Sequence, residues 1–141
     1  MGGAMKERLV GTWRLVTYET DERGGKRGRP YADAVGRLAY DENGNMSGQV
    51  MRPGRAHVEV GEGGAQQIRA AYLGYIAYFG TYEVAPDGGF VVHHVLGALN
   101  PAWVGGQQVR RLRFDGERLI LSADVPKNGQ TVTHTLTWER C

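Results

Sequence analysis

The feature that most constrains the fold is a set of two-residue turn signals placed between runs of strand-forming residues. The four dipeptides are Asn43-Gly44, Asp87-Gly88, Asp115-Gly116 and Asn128-Gly129. Asn, Asp and Gly tolerate the positive φ values that tight hairpins require. Short strands at regular spacing, joined by such turns, are typical of an all-β sandwich or barrel.

The residues around these turns predict eight antiparallel strands and one short helix. We expect the strands at about 9–20, 35–40, 45–52, 76–85, 90–97, 107–114, 118–123 and 131–140. Between the third and fourth strands, four apolar or aromatic residues have the spacing of a helical stripe. They are Ile68, Ala71, Tyr72 and Tyr75. The sequence therefore predicts a helix near 64–74.

The lengths of the connections predict a barrel that is open at one end. The first, third, fifth and seventh connections are long, at 21–34, 53–75, 98–106 and 124–130, whereas the even-numbered connections are short. In an up-and-down meander the odd and even connections lie at opposite ends. Tight turns then seal one end, and an eight-stranded barrel leaves room for one small ligand. A sandwich without a cavity is the alternative.

Length, charge and cysteine content limit the kinds of molecule that this protein is expected to bind and the compartment in which it is expected to work. The chain has 141 residues and a net charge of +2, which fits a single domain over 1–141 and does not favour a nucleic-acid partner. Its one cysteine, Cys141, cannot form an internal disulfide. No apolar run is long enough to cross a membrane, and the first eight residues do not resemble a signal peptide. We therefore expect a cytoplasmic protein with a small hydrophobic or oxygenated ligand, and leave a homodimer open.

Several short stretches resemble one family of barrels. Gly11-Thr12-Trp13 resembles the Gly-x-Trp signature of lipocalins and the wider calycins. Further stretches resemble the bacterial lipocalin-like domain family: Gly36-Arg37-Leu38, Met51-Arg52-Pro53-Gly54-Arg55, Tyr78-Phe79-Gly80-Thr81-Tyr82, Val92-His93-His94-Val95, Trp103-Val104-Gly105, Gln108-Val109-Arg110 and Leu136-Thr137-Trp138-Glu139-Arg140. The resemblance covers nearly the whole chain. It implies a lipocalin-like β-barrel, but little about activity.

The resemblance also implies a structural contact at the sealed end. In lipocalins an arginine of the last strand packs over the tryptophan of the Gly-x-Trp signature. The meander independently brings the start of the first strand beside the end of the eighth. We therefore expect the Arg140 guanidinium to lie on the indole of Trp13.

The alternation of side chains along the strands predicts which polar residues face the cavity. The aromatic and aliphatic residues of each strand identify its inner face. The polar residues that share those faces are Tyr40, Tyr78, Gln108, Arg110 and His134. The adjacent His93 and His94 must point to opposite faces, and the sequence leaves open which of them points inward.

Counting from the Trp13–Arg140 contact predicts a partner for one histidine. Antiparallel pairing would place Glu19 near His134, as a carboxylate–imidazole pair at the mouth of the cavity. A register slip of two residues would replace Glu19 with Thr17.

These residues are compatible with three classes of function. The leading hypothesis is a protein that binds a small, partly apolar, oxygenated molecule in its pocket. The resemblance implies that such a protein can act as a cofactor-independent isomerase or cyclase of secondary metabolism, in which His134, His93 or His94, together with Glu19, moves a proton. Its ligand contacts would be Arg110, Tyr78, Gln108, Tyr40 and Trp103. The alternative is a carrier that performs no chemistry. A third class is an interaction module that uses Trp103 and the loops of the open end.

The sequence lacks the motifs of the common cofactor-binding sites. Adjacent histidines on a strand cannot both bind one metal ion, and no cysteine or carboxylate cluster completes a site. The sequence has neither a dinucleotide-binding glycine motif nor a phosphate-binding loop. We expect no cofactor, although haem held by a single histidine stays open.

Overall fold

A computed structural model describes residues 2–22, 26–57 and 64–141 of the chain. In this part of the chain nine strands form one antiparallel sheet. The strands are β1 Gly11–Glu22, β2 Lys26–Gly28, β3 Val35–Tyr40, β4 Asn45–Met51, β5 Tyr75–Val84, β6 Phe90–Ala98, β7 Gln107–Asp115, β8 Arg118–Lys127 and β9 Gln130–Arg140. The helices are α1 Gly2–Leu9 and α2 Ala65–Leu73, with a 3-10 turn at Pro101–Trp103.

The sheet closes on itself into a barrel. From β3 onward each strand pairs with the next, β1 pairs with β3, and β9 returns to pair with β1. The closing ladder runs from Trp13 opposite Arg140 to Glu22 opposite Val132. The short β2 lies beside the end of β1, outside the ring of eight. The predicted eight-stranded up-and-down barrel is confirmed, and so is a helix between the third and fourth strands of the ring.

The inner faces of the strands form one apolar core. Its fully buried side chains are Leu9, Trp13, Tyr40, Val91, Val95 and Leu119. Helix α2 contributes no buried residue to this core. Of the helices in the described residues, none is long and apolar enough to cross a membrane.

Helix α1, which the sequence analysis did not predict, covers the sealed end of the barrel. The indole Nε1 of Trp13 donates to the carbonyl of Leu9 at 2.8 Å. The Arg140 guanidinium lies 4.3 Å from the centroid of the Trp13 ring, so the predicted contact is confirmed. Arg140 also donates to the carbonyls of Val10, at 2.8 Å, and Arg8. The last strand thereby holds α1 against the barrel.

A β-bulge in β1 changes which of its residues face inward. Leu15 lies opposite Trp138, but Thr17 lies opposite Thr137, so one extra residue is inserted between them. The inserted residue reverses the alternation of the rest of the strand. As a result Tyr18 is buried, whereas Glu19 is exposed.

The connection between β8 and β9 is shorter than predicted. We expected a long loop at 124–130, but β8 continues to Lys127 and β9 begins at Gln130. Asn128 and Gly129 form the turn with φ of 50° and 78°, the positive values of a tight hairpin. The hairpin therefore extends the barrel wall at the end that carries the other long loops.

Candidate functional site

A cavity of about 760 Å³ lies inside the barrel toward the end with the long loops. Its size falls within the range of roughly 300–1,000 Å³ that is typical of small-molecule sites. Much of its lining is apolar and comes from Leu38, Met46, Val50, Ile76, Leu121, Leu136 and Trp138. The polar groups that converge on it include Tyr18, Tyr78, His93, Gln108, Arg110 and His134.

His93 is the inner member of the histidine pair. It is buried and 2% exposed. Its Nε2 lies 2.6 Å from the Tyr40 hydroxyl, and its Nδ1 lies 2.6 Å from the Tyr78 hydroxyl. Burial, with the charges of Arg110 and His94 as smaller causes, lowers the pKa of His93 to about 3. The imidazole is therefore neutral at physiological pH.

The two tyrosines fix which nitrogen of His93 carries the proton. A neutral imidazole has one donor and one acceptor. The Tyr40 hydroxyl is buried, and no other acceptor for it lies among the described residues. An unmet buried donor is costly, so we assign the Tyr40 hydroxyl as the donor to Nε2. Nδ1–H then donates to the Tyr78 oxygen, which leaves the hydrogen of the Tyr78 hydroxyl for a further acceptor.

Arg110 supplies a positive charge to the same wall. Its guanidinium donates to Gln108 Oε1 at 3.0 Å and to the carbonyl of Val109 at 3.1 Å. Burial raises the pKa of the Tyr78 hydroxyl above its usual value, and the nearby charge of Arg110 offsets part of that rise. Within the described residues all of these partners are uncharged, so the charge of Arg110 is not neutralised by a carboxylate.

His134 has a tyrosine as its partner instead of the expected glutamate. Its Nδ1 lies 2.7 Å from the Tyr18 hydroxyl. The predicted Glu19–His134 pair is wrong, because the bulge turns Glu19 to the outside, where it lies opposite Thr135. Burial, followed by the charges of Arg110 and Lys127, lowers the pKa of His134 below its usual value. This imidazole is also neutral at physiological pH.

Three other predicted site residues differ in their relation to the cavity. His94 lies on the outer face, where its Nε2 is 2.9 Å from Glu83 Oε1. Tyr40 does not line the cavity but lies behind His93. Trp103 does line it and packs edge-to-face on Tyr78, with ring centroids 6.1 Å apart.

Tyr18 is a polar residue of the cavity lining that the sequence analysis missed. Strict alternation from Trp13 placed it on the outer face. Two adjacent apolar residues, Leu15 and Val16, interrupt the alternation just before it. That interruption, followed by an aromatic residue, was the available signal of a bulge.

The arrangement suits ligand binding better than metal chemistry. The Tyr78 hydroxyl and the Arg110 guanidinium present hydrogen-bond donors beside an apolar wall. His134 presents a neutral imidazole to the same space. In the described residues no three His, Cys, Asp or Glu side chains are grouped so that they could hold a metal ion.

The chain matches a known protein family over nearly its whole length. A model of the lipocalin-like domain family matches residues 10–141. The 4'-hydroxy-3'-methoxypropiophenone carrier protein ppsC of Aspergillus oryzae (strain ATCC 42149 / RIB 40) is 34% identical over an alignment of 107 residues, and the match covers 67% of this chain and 96% of that protein. A solved structure of the siderocalin Ex-FABP covers 95% of this chain and 71% of its own, at 10% identity and a TM-score of 0.33. The family match and the relative together establish that this chain belongs to the lipocalin-like domain family.

Proposed function

We propose that this protein binds a small, partly apolar molecule through an acceptor oxygen, and that it carries this molecule without changing it. The observation that supports this most strongly is the pairing of Arg110 with Tyr78. Both groups offer donors to the cavity, and the hydrogen of the Tyr78 hydroxyl has no other assigned acceptor. A ligand oxygen at this point would accept from a cation and from a phenol.

The chemistry of the cavity selects the kind of oxygen. A carbonyl, an ether or an ionised hydroxyl can accept both bonds without needing an acceptor in return. The charge of Arg110 favours the oxygen that carries more negative charge. The apolar lining would cover the hydrocarbon part of the ligand. We therefore infer an aromatic or aliphatic molecule with a carbonyl, enolic or phenolic oxygen.

The named relative supports the same class. It is called a carrier of 4'-hydroxy-3'-methoxypropiophenone, an aromatic ketone with phenolic and ether oxygens. Such a molecule has the apolar body and the acceptor oxygens that this cavity would accept. It is therefore a suitable probe for the present protein.

A second candidate function is the isomerase or cyclase expected from the sequence, and one observation favours it. His134 lines the cavity as a neutral imidazole whose Nδ1 is bonded to Tyr18. Its Nε2 has no partner among the described residues, and it could take a proton from a bound ligand. His93 is less suited to this role, because tyrosine hydroxyls occupy both of its nitrogens.

Calorimetric titration with 4'-hydroxy-3'-methoxypropiophenone tests the proposed binding. We expect the wild type to bind and Arg110→Met to bind about 10- to 100-fold more weakly, since a hydrogen bond to a charged group contributes roughly 1.5–3 kcal/mol. Arg113→Met, on the outer face of the same strand, is the matched control and should bind like the wild type. Equal affinities for all three proteins would contradict the proposed site.

Recovery of the bound probe separates the carrier from the enzyme. After prolonged incubation, mass and chromatographic retention should show the probe unchanged. Conversion that disappears in His134→Asn, a variant that keeps the fold, would favour the isomerase or cyclase instead.

A further inference from the structure

The barrel wall is incomplete between β7 and β8. On one side, β7 pairs with β6 from Gln107 to Arg111. On the other side, β8 pairs with β9 as far as Lys127. Between the two strands, however, the ladder stops at Arg111 opposite Ser122. Residues 107–110 of β7 and 123–126 of β8 are therefore unpaired with each other, and we call this opening the β7–β8 gap.

The cavity reaches the outer surface through this gap. Its lining includes Gln108 and Arg110, which lie on the inner face of β7. It also includes Val109 and Arg111, which point outward from the same strand, and the outward Phe90 of β6. At the gap the lining includes consecutive residues of both strands, 107–111 of β7 and 121–126 of β8, so the cavity extends between the two unpaired strand edges.

Three apolar side chains are exposed on the rim of the gap, beside the charged Arg111 and Asp124, whereas Arg110 lies on its inner side. Phe90, Val109 and Val125 are 41%, 46% and 42% exposed. Arg110 donates to the carbonyl of Val109, which faces β8 because carbonyls alternate sides along a strand. The guanidinium therefore lies at the inner edge of the gap. A partly apolar molecule could contact the rim first and Arg110 next.

An ion pair crosses the gap at its narrow end. Both terminal nitrogens of Arg111 donate to the carboxylate of Asp124, at 3.0 Å each. Thr133 also donates to this carboxylate, at 2.7 Å. The two charged side chains are 43% and 48% exposed. Solvent weakens such exposed pairs, so this one can open without disturbing the core.

Contacts across the loop end narrow the other route into the barrel. The Tyr31 hydroxyl donates to the carbonyl of Leu73 at 2.7 Å. The Tyr31 ring packs edge-to-face on Tyr18, with centroids 5.7 Å apart. These contacts link β1 to the end of α2 across the mouth.

We propose that the β7–β8 gap is the passage through which the ligand enters and leaves, and that the Arg111–Asp124 ion pair is its latch. This inference rests on the proposed function, because it concerns the route of the same small molecule. It assigns the exchange of ligand to the side of the barrel and not to its loop end. It also explains why apolar side chains remain exposed at the gap.

Cross-linking the gap tests the route. Continuing the register places Gln107 opposite Pro126, both on the outer face, so Gln107→Cys/Pro126→Cys in a Cys141→Ser background can be joined by a short thiol reagent. Stopped-flow tryptophan fluorescence would follow binding of 4'-hydroxy-3'-methoxypropiophenone before and after cross-linking. We expect the association and dissociation rates to fall together by about tenfold or more, with little change in Kd, because a gate alters rates and not the bound state.

The matched control is Ala39→Cys/Ser47→Cys, a pair on the outer face of the continuous β3–β4 ladder that does not line the cavity. Joining this pair should leave both rates unchanged. If joining the β7–β8 pair also leaves the rates unchanged, the passage is overturned and the ligand uses the loop end. If the uncross-linked parent does not bind the probe, the proposed function fails for this ligand class, and the passage fails with it.

Removing the latch provides a second test. Asp124→Asn should raise both rates by about two- to fivefold, in keeping with the small strength of an exposed ion pair. Glu139→Gln, which removes the exposed Arg14–Glu139 pair on another part of the wall, should have no effect. Rates that do not differ between Asp124→Asn and the wild type would contradict the latch.

Discussion

The polar side chains at the two ends of the barrel have different kinds of hydrogen-bond partner. At the sealed end, Trp13 and Arg140 donate to backbone carbonyls of the first helix and of the residue that follows it. At the cavity, His93 and His134 bond to tyrosine hydroxyls. The sealed end is a packed structure with little room for change. The cavity instead keeps donors beside an apolar space, as a binding site requires.

The comparison predicts that substitutions at the two ends will have separate effects. Changes at the sealed end should lower the free energy of unfolding and leave the affinity of the folded protein intact. Changes at the cavity should act on affinity or on pH dependence, with smaller effects on stability.

The largest effect is expected for Leu9→Ala in α1. Leu9 is completely buried, and truncation of a buried leucine costs about 2–5 kcal/mol. Chemical denaturation should show this loss, while the affinity for the probe stays at the wild-type value. Ile68→Ala in α2 is the control, because Ile68 is 52% exposed. Equal stability of both variants would show that α1 does not contribute to the stability of the barrel by covering its sealed end.

Arg140→Ala should lower the free energy of unfolding by about 1–3 kcal/mol, since both the stacking on Trp13 and the bonds to α1 are lost. Arg14→Ala is the control. Arg14 lies on β1, which pairs with the strand of Arg140, and its side chain forms only an exposed ion pair with Glu139 among the described residues. The cost of this substitution should be about 1 kcal/mol or less. Thermal denaturation of the two variants at equal ionic strength measures the difference. A larger loss of unfolding free energy in Arg14→Ala than in Arg140→Ala would contradict the structural role of Arg140.

His93 should make stability depend on pH. Its pKa is lowered by burial to about 3 in the folded protein, from a usual value of 6.5. Below pH 6.5 the unfolded chain takes up a proton that the folded protein excludes. The stabilisation is therefore complete above this pH and is lost as the pH falls toward 3, by up to about 1.4 kcal/mol per pH unit.

Denaturation between pH 7 and pH 4 would measure this slope. Carboxylates contribute to it in any variant, so the informative quantity is the difference between the wild type and His93→Asn. The slope should be smaller in the variant. Identical slopes would mean that His93 becomes protonated without unfolding, contrary to a closed Tyr40–His93–Tyr78 arrangement.

The smallest effect tests the bulge in β1. Tyr18→Phe removes the hydroxyl bonded to His134 and should cost about 1 kcal/mol, the usual contribution of one such hydrogen bond. Glu19→Gln, on the outer face, should change stability by less than about 0.5 kcal/mol. Urea denaturation can resolve this difference. A larger loss of stability in Glu19→Gln than in Tyr18→Phe would indicate that Glu19, and not Tyr18, is the partner of His134.

The sequence predicted the barrel well because its signals are local. Gly-containing turns marked the hairpins, and alternation identified the inner faces of β7 and β9, which correctly placed Arg110 and His134. The contact between Trp13 and Arg140 followed from both the meander and the family signature. The turns and the inner faces depend on residues that lie close together in one strand or turn, whereas the Trp13–Arg140 contact required the order of the strands and the family signature.

The sequence-based predictions of inward-facing residues failed where one inserted residue changed the alternation of a strand, and where both faces of a strand were apolar. The bulge after Leu15 reversed the rest of β1, so Tyr18 was missed and Glu19 was misplaced. His93 and His94 could not be distinguished, because the residues around them give no difference between the faces of β6. Helix α1 begins in a glycine-rich segment without an apolar stripe, and contacts with Trp13 and Arg140 hold it in place. Such long-range contacts are not visible in a local pattern.

The proposed function requires that a small molecule occupy the cavity beside Arg110 and Tyr78. An NMR titration of isotope-labelled protein with 4'-hydroxy-3'-methoxypropiophenone tests this directly. The largest shifts are expected at Tyr18, Tyr78, Arg110 and His134, while the amides of α1 and Trp13 stay unchanged. Shifts confined to α1 or to the outer faces of the strands, or no shifts at saturating probe, would contradict the account.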